Sequence, residues 1–238
     1  MKRVSRVCLL QVFGSFRIRL RRANCRAEEI RTVVAELNRR RETGVPLGEL
    51  TYVAFDLETT GLYPFGGDRI TAFGAVLIED GRVTGEGFER LVNPGRPIPP
   101  ETVRLTGITN SHVATAPPVE EVLPEFLGFL SQGVPLGFNA DFDLAFLNLA
   151  LRPFGLKLKR TAVIDVLTLI RALNPNWENL QLDEAARFYG VPLAHRHAAL
   201  GDAIIHARLF LRVLSLLEER GIYTLKELKS YLHYRGLW

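Results

Sequence analysis

The stretch YVAFDLETTGL, residues 52–62, places two carboxylates where apolar side chains are the rule. Tyr52, Val53, Ala54, Phe55 and Leu57 read as a strand covered on both faces. Side chains two apart on a strand share a face, so Asp56 and Glu58 project side by side. Thr59-Thr60-Gly61 reads as a turn and puts the acids at the carboxyl end of the strand, where open α/β sheets bind their ligands. Two further stretches set charge in apolar sequence. GFNADFDLAFL (137–147) places Asp143 in the first turn of an apolar helix, with Asp141 facing elsewhere. HRHAALGDA (195–203) offers His197 and, five residues on, Asp202 near the start of a long apolar helix. Singly, each has a bland explanation: an edge strand facing water, a charge favoured by a helix N-terminus, a loop histidine. Together, four carboxylates in apolar surroundings carry a large cost unless a cation offsets them. An all-oxygen set suits hard ions, Mg2+ or Mn2+. Two such ions ~3.5–4 Å apart clamp the attacking and leaving oxygens of a phosphodiester, and a histidine of near-neutral pKa takes the proton of the attacking water.

The elements that must position these residues are legible from periodicity. Strands are expected at 51–58, 69–79 and 82–92, the last two joined at Asp80-Gly81, a hairpin signal. A short strand is expected at about 134–138, and TAVIDVL (161–167) reads as another strand running into a helix that ends near 173. Helices fit 118–131, 141–151, 180–189 and 198–220, with one more short helix in the tail. Between them lie the Pro-rich NPGRPIPP (93–100) and the short segment ETVRLTGIT, to which no element is assigned. Hairpin strands followed by strands alternating with helices imply an α/β fold with a mixed sheet flanked by helices.

Upstream, Ile30, Val33, Val34 and Leu37 recur at helical spacing over roughly 27–41, and Phe16, Ile18 and Leu20 alternate with arginines in a pattern that fits either strand or helix. ETGVPLGEL (42–50) reads as a linker. The expected organisation is therefore a basic arm over 1–45, a main domain over 50–217 and a helical tail over 218–238. Charge supports the division. Residues 1–41 carry 12 Lys+Arg against 3 Glu, while the whole chain of 238 residues has a net charge of only +4. A basic arm on a mildly acidic body points to nucleic acid or another anionic partner. The first 27 residues, arginine-rich and free of acids, also raise a transit peptide as an alternative, although Gln11 interrupts Val7–Phe13 as a signal-peptide core. No apolar run approaches membrane-spanning length, and Cys8 and Cys25 make neither a disulfide framework nor a metal spacing. A reduced, cytoplasmic setting without membrane attachment is expected.

FDLETTG, NADFD and HxAxxDA, in this order, resemble the three motifs of the DnaQ-like (DEDDh) 3′→5′ exonucleases, over about residues 51–215. That family includes the proofreading subunit of bacterial replicative polymerase, RNase T and oligoribonuclease. The resemblance implies an RNase H-like five-stranded mixed sheet, Asp56, Glu58, Asp143 and Asp202 as ligands of two Mg2+ or Mn2+ ions, and His197 as general base. Alanine at 198 excludes the variant with tyrosine in the third motif. RLTGIT (104–109) is similar to the segment that wedges apolar side chains against the terminal base, which implies Leu105, Thr106 and Ile108 there, Thr59 and Thr60 beside the sugar, and Asn139 and Phe142 as further substrate contacts. Asp165 matches a recurring acidic position with a supporting role. The chain departs from the family at Phe138, where histidine is usual. The implied activity is release of nucleoside monophosphates from single-stranded or frayed DNA 3′ ends, in proofreading or repair, with a DNA polymerase subunit as a possible partner. Two alternatives stand beside it: an exoribonuclease of the same family, and a non-catalytic nucleic-acid-binding adaptor on the same fold, which should have lost a metal ligand.

Overall fold

Tyr52–Thr59 (β1) is buried along nearly its whole length because helices cover both faces of the sheet it centres. The computed structural model describes residues 23–39, 44–177 and 180–237, with side chains from residue 27 onward. The Phe16–Arg21 alternation and most of the basic charge of the arm lie outside these residues. β1 pairs antiparallel with β2 (Ile70–Glu79), which pairs antiparallel with β3 (Arg82–Leu91) across the Asp80-Gly81 turn. On its other side β1 runs parallel to β4 (Val134–Gly137), and β4 to β5 (Ile164–Asp165), giving the order β3-β2-β1-β4-β5. This is the mixed five-stranded sheet expected.

The described helices are α1 (Ala23–Arg39), α2 (Pro100–Thr106), α3 (Asn110–Val113), α4 (Val119–Leu130), α5 (Ala140–Leu151), α6 (Val166–Leu173), α7 (Leu182–Phe188), α8 (Ala199–Glu219) and α9 (Leu225–Tyr234). The two short ones, α2 and α3, occupy the segment for which periodicity gives no element. Pro99 and Pro100 start α2 and Gly107, at φ 71°, ends it, while a Thr109–His112 capping box starts α3.

The period-2 alternation of β1 sorts its side chains into two cores. Tyr52 and Ala54 join Val76, Ile78 and Leu136 under α6 and α8. Val53, Phe55 and Leu57 join Phe73, Ala75 and Leu77 under α4 and α5. Phe126 of α4 anchors the second core, its ring centroid 4.6 Å from that of Phe73 and 6.1 Å from that of Phe55. Asp56 and Glu58 continue the even-numbered face, so both acids point to the α8 side.

The appendages are packed rather than loose. Ile30, Val34 and Leu37 of α1 are buried in the second core, and Asn38 exchanges hydrogen bonds with the backbone of Lys157 and Lys159. Leu228 and Leu232 of α9 are buried in the first core with Leu47, whose N–H donates to Tyr223 O at 2.6 Å. The stretch read as a linker is thus fastened at Leu47. Among the described residues no helix is long and apolar enough to cross a membrane.

Candidate active site

At the carboxyl end of β1 three carboxylates converge. Ligand-capable oxygens of Asp56, Glu58 and Asp202 all lie within 4.8 Å of one another. Asp202 arrives on the first turn of α8, which rests directly on β2 at Gly74, the residue registered opposite Asp56. A methyl group on Gly74 would come within 2.1 Å of the Ala199 carbonyl carbon, so only glycine lets helix and strand approach this closely. Ala72, opposite Glu58, is also small. Asp143 comes from α5, on the other face of the sheet, and reaches across the strand end: its Oδ1 accepts from Leu57 N–H at 3.1 Å. It stands beside the cluster of three rather than inside it.

The electrostatics are those of crowded, buried acids. Burial pushes the Asp56 carboxyl well above the ordinary range, and Asp143, Glu58 and Asp202 push it further. Burial, then Asp202, raises Glu58 to about 7. Burial also raises Asp143, opposed by the Leu57 N–H. One oxygen of Asp202, Oδ1, is buried without a hydrogen-bond partner. A bare buried carboxylate oxygen is costly, and among three converging acids it has the chemistry of a cation ligand. The donor set therefore fits hard divalent ions.

The other residues singled out from the sequence fall around this cluster. His197 lies in the turn before α8, with φ 61° and its N–H donating to Asp202 Oδ2 at 3.2 Å. Leu105 is 56% exposed on α2, which is tied to the end of β1 by Thr102 Oγ1 donating to Thr60 O at 3.0 Å. Thr106 Oγ1 donates to Thr102 O and accepts from Ile108 N–H, so its hydroxyl shapes the turn after α2. Asn139 is exposed at φ 57°, and Phe142 is half-buried against Phe146. The two threonines lie in the turn that ends β1. Thr60 is 1% exposed and its hydroxyl donates to Asp68, while Thr59 is buried with its hydroxyl donating to Gly61 O. Their hydroxyls are thus spent on the turn at the end of β1.

Asp165 lies at the start of α6 and is fully engaged in hydrogen bonds. Its Oδ1 accepts from Asn139 N–H and Leu167 N–H, and its Oδ2 from Thr168 and Arg160, which fixes the left-handed backbone at Asn139 before α5. Arg160 also pairs with Asp141, which faces away from the acids.

Three residues escaped the sequence reading. Asp68 accepts from Thr60, Tyr63 N–H and Arg96. Arg196 bonds both Asp183 and Asp202. His206, 1% exposed, donates from Nδ1 to Phe55 O at 3.0 Å and turns Nε2 toward Asp56 Oδ1, 3.9 Å away. Its ring stacks on Phe138, with 6.0 Å between centroids, and burial lowers its pKa. A signal for His206 existed: it lies four residues after Asp202 on the same helix, hence on the same face.

The exonuclease family model matches residues 53–210. A DNA polymerase III subunit epsilon-like protein of Rhodobacter capsulatus is 44% identical over 182 residues, which cover 75% of this chain and 26% of that protein. A PolC-type DNA polymerase III of Caldanaerobacter subterraneus is 41% identical over 181 residues, covering 76% of this chain and 13% of that protein. The chain thus matches only about a quarter or less of these relatives' length. Among solved structures, exonuclease X in complex with 5′ overhanging duplex DNA superposes with a TM-score of 0.56 at 25% identity, over 70% of this chain and 92% of that one. The nuclease domain of 3′hExo, described as a DEDDh family member bound to rAMP, shares the fold with a TM-score of 0.59 at 19% identity, over 72% of this chain and 94% of that one. With the motifs in order, the acids converging and two thirds of its length matched, the chain belongs to the DnaQ-like (DEDDh) exonuclease family.

Proposed function

We propose that this chain removes nucleoside monophosphates from single-stranded or frayed DNA 3′ ends, in proofreading or repair beside a DNA polymerase in the cytoplasm. The observation that carries the reading is the convergence of Asp56, Glu58 and Asp202 with one Asp202 oxygen left bare. Two divalent ions, Mg2+ or Mn2+, would supply Lewis acidity to the attacking and leaving oxygens. Asp56, Glu58 and Asp202 would hold them, with Asp143 beside. An imidazole nitrogen of His197 would accept the proton of the attacking water. Leu105, exposed on a helix tied to β1, would part the terminal base from its neighbour. The relatives named as polymerase III proteins favour DNA over RNA as substrate and a polymerase as partner. The test is direct: incubation with Mg2+ and 5′-labelled DNA and RNA strands of equal sequence should give a 3′-shortening ladder on DNA first. No ladder on either strand would refute the activity, and a faster ladder on RNA would move the chain to the exoribonuclease reading.

His197→Asn should lower kcat by roughly a hundredfold, the scale of general-base loss, while His195→Asn, a few residues away and exposed, should stay within about threefold, the mark of a change outside the reacting groups. Asparagine tolerates the left-handed backbone that both positions adopt, so the comparison isolates the imidazole. Steady-state kinetics decide it, and the reverse order would place the base at residue 195.

Blunt duplex DNA should be shortened more slowly than a single strand or a mismatched end. Unstacking costs a few kcal/mol, least at a mismatch. Leu105→Ala should widen the difference between single-stranded rates and those at mismatched or paired ends, which need the wedge most. Equal wild-type rates on all three ends would remove the wedge.

The arm over 1–45 is read as an electrostatic guide to the main domain over 50–217, with 218–238 as a helical tail. Residues 1–22 hold seven Lys+Arg and no acid, and deleting them spares the buried face of α1. The deletion should weaken DNA binding and flatten its salt dependence, since each phosphate neutralised on a single strand contributes about −0.7 to the slope of log K against log salt. An unchanged slope in fluorescence-anisotropy titrations would show that these charges do not touch DNA.

A further inference from the structure

Arg196 lies between the two histidines of HRH, and nothing in the family reading gives it a task. Its side chain is only 22% exposed. Nε donates to Asp183 Oδ1 of α7 at 2.6 Å, and a terminal nitrogen of the same planar group donates to Asp202 Oδ2. The rigid guanidinium fork suits such a two-sided grip, which a lysine cannot reproduce. Asp183 stands outside the acid cluster; its other partner is Arg187, at 3.8 Å on the same helix.

The backbone around Arg196 needs holding. His195 and His197, on either side of it, adopt φ 57° and 61°. Non-glycine residues in this region are uncommon, and two of them persist only where the surroundings over-determine the chain. Three restraints do so here. The turn passes so close over α8 that a methyl group on Gly201 would meet His195 O at 2.0 Å. The His197 N–H reaches Asp202 Oδ2. The Arg196 fork ties the same oxygen to α7. Asp202 is thereby divided: Oδ2 belongs to the turn, and Oδ1 is buried and left without a partner.

We propose that Arg196 is a positioning residue, and that the Asp183–Arg196–Asp202 chain is a latch that aims both the His197 imidazole and the free oxygen of Asp202. The inference rests on the exonuclease reading for the use to which that aim is put, and on geometry alone for the latch itself. Asp183 is not among the acids proposed to hold metal, so the latch can be opened from its far end.

Asp183→Asn and Arg196→Lys should each lower kcat by roughly ten- to hundredfold, as loss of a partner that orients a site residue does, with KM for a single-stranded oligonucleotide within about twofold of wild type, because the substrate path is left intact. The double variant should be little worse than either single one, since both open the same latch. In metal-free protein, the imidazole NMR resonances of His197, assigned from the His197→Asn spectrum, should shift in both variants and stay in place in Arg187→Ala. Turnover within about twofold of wild type, the scatter of a neutral substitution, together with an unmoved His197 signal, would overturn the latch, as would effects that multiply in the double variant. If wild type itself shows no Mg2+-dependent turnover, the proposed function fails, and the His197 signal in metal-free protein still decides the latch.

Discussion

Asp56→Asn is expected to lower turnover by on the order of a thousandfold or more, about 4 kcal/mol of lost transition-state stabilisation, while making the metal-free protein more stable at pH 8. Both effects have one origin. Asp56 is held among Asp143, Glu58 and Asp202 in a place that burial makes hostile to charge. A site that stabilises cations is destabilised without them. The pH dependence follows from Glu58, whose pKa of about 7 lies above its ordinary 4.5. Between those values the folded state holds more protons than the unfolded chain, so stability falls as pH rises through that window. Glu58 alone accounts for on the order of 3 kcal/mol by pH 8, at about 1.4 kcal/mol per pKa unit. Asp56 and Asp143, raised in the same direction, add to the loss. Thermal melts in EDTA should therefore show Tm declining from pH 5 to pH 8, with Mg2+ restoring it by binding the native state only. The asparagine variant should show a shallower decline and a smaller response to Mg2+. Wild-type melts that climb with pH, or an Asp56→Asn protein that turns over normally, would remove the acids from the role given them.

Gly74→Ala should reduce kcat by roughly a hundredfold although residue 74 carries no reactive group. The added methyl would sit 2.1 Å from the Ala199 carbonyl carbon and 2.2 Å from Leu200 N, both backbone atoms that no rotamer change can clear. Strand and helix must separate, at about 1–3 kcal/mol for overpacking. The separation carries Asp202 away from Asp56, the direct strand neighbour of Gly74. A displacement of about 1 Å is enough for a hundredfold loss when reacting groups must be aligned. Loss of activity with a native circular-dichroism spectrum and a Tm lowered by a few degrees is the expected pair of results. A Gly74→Ala protein with wild-type kcat would mean that the position of α8 on the sheet does not set the site.

Asp56, Glu58, Asp143, His197 and Asp202 stand out in the chain itself because charge inside apolar periodic sequence is costly, and of these the structure brings Asp56, Glu58 and Asp202 together. The five strands and the long helices were legible for a related reason: their faces are periodic, and periodicity survives without coordinates. α2 and α3 were not, since at seven and four residues they complete no apolar repeat and are defined by Pro99, Pro100, Gly107 and a capping box. Packing of the appendages was equally hidden. The spacing of Ile30, Val34 and Leu37 marks an apolar face without saying what covers it, and only the tertiary structure lays it on α4. The finer anatomy of the site lay furthest from view. That Asp143 reaches the acids from the opposite face, that Thr60 spends its hydroxyl on Asp68, and that Arg196 joins Asp183 to Asp202 each depend on partners far apart in sequence or in different elements. Sequence alone dictates which side chains must avoid water and with what period. Which polar groups then meet is decided when the helices settle on the sheet, at distances set by glycines such as Gly74 and Gly201.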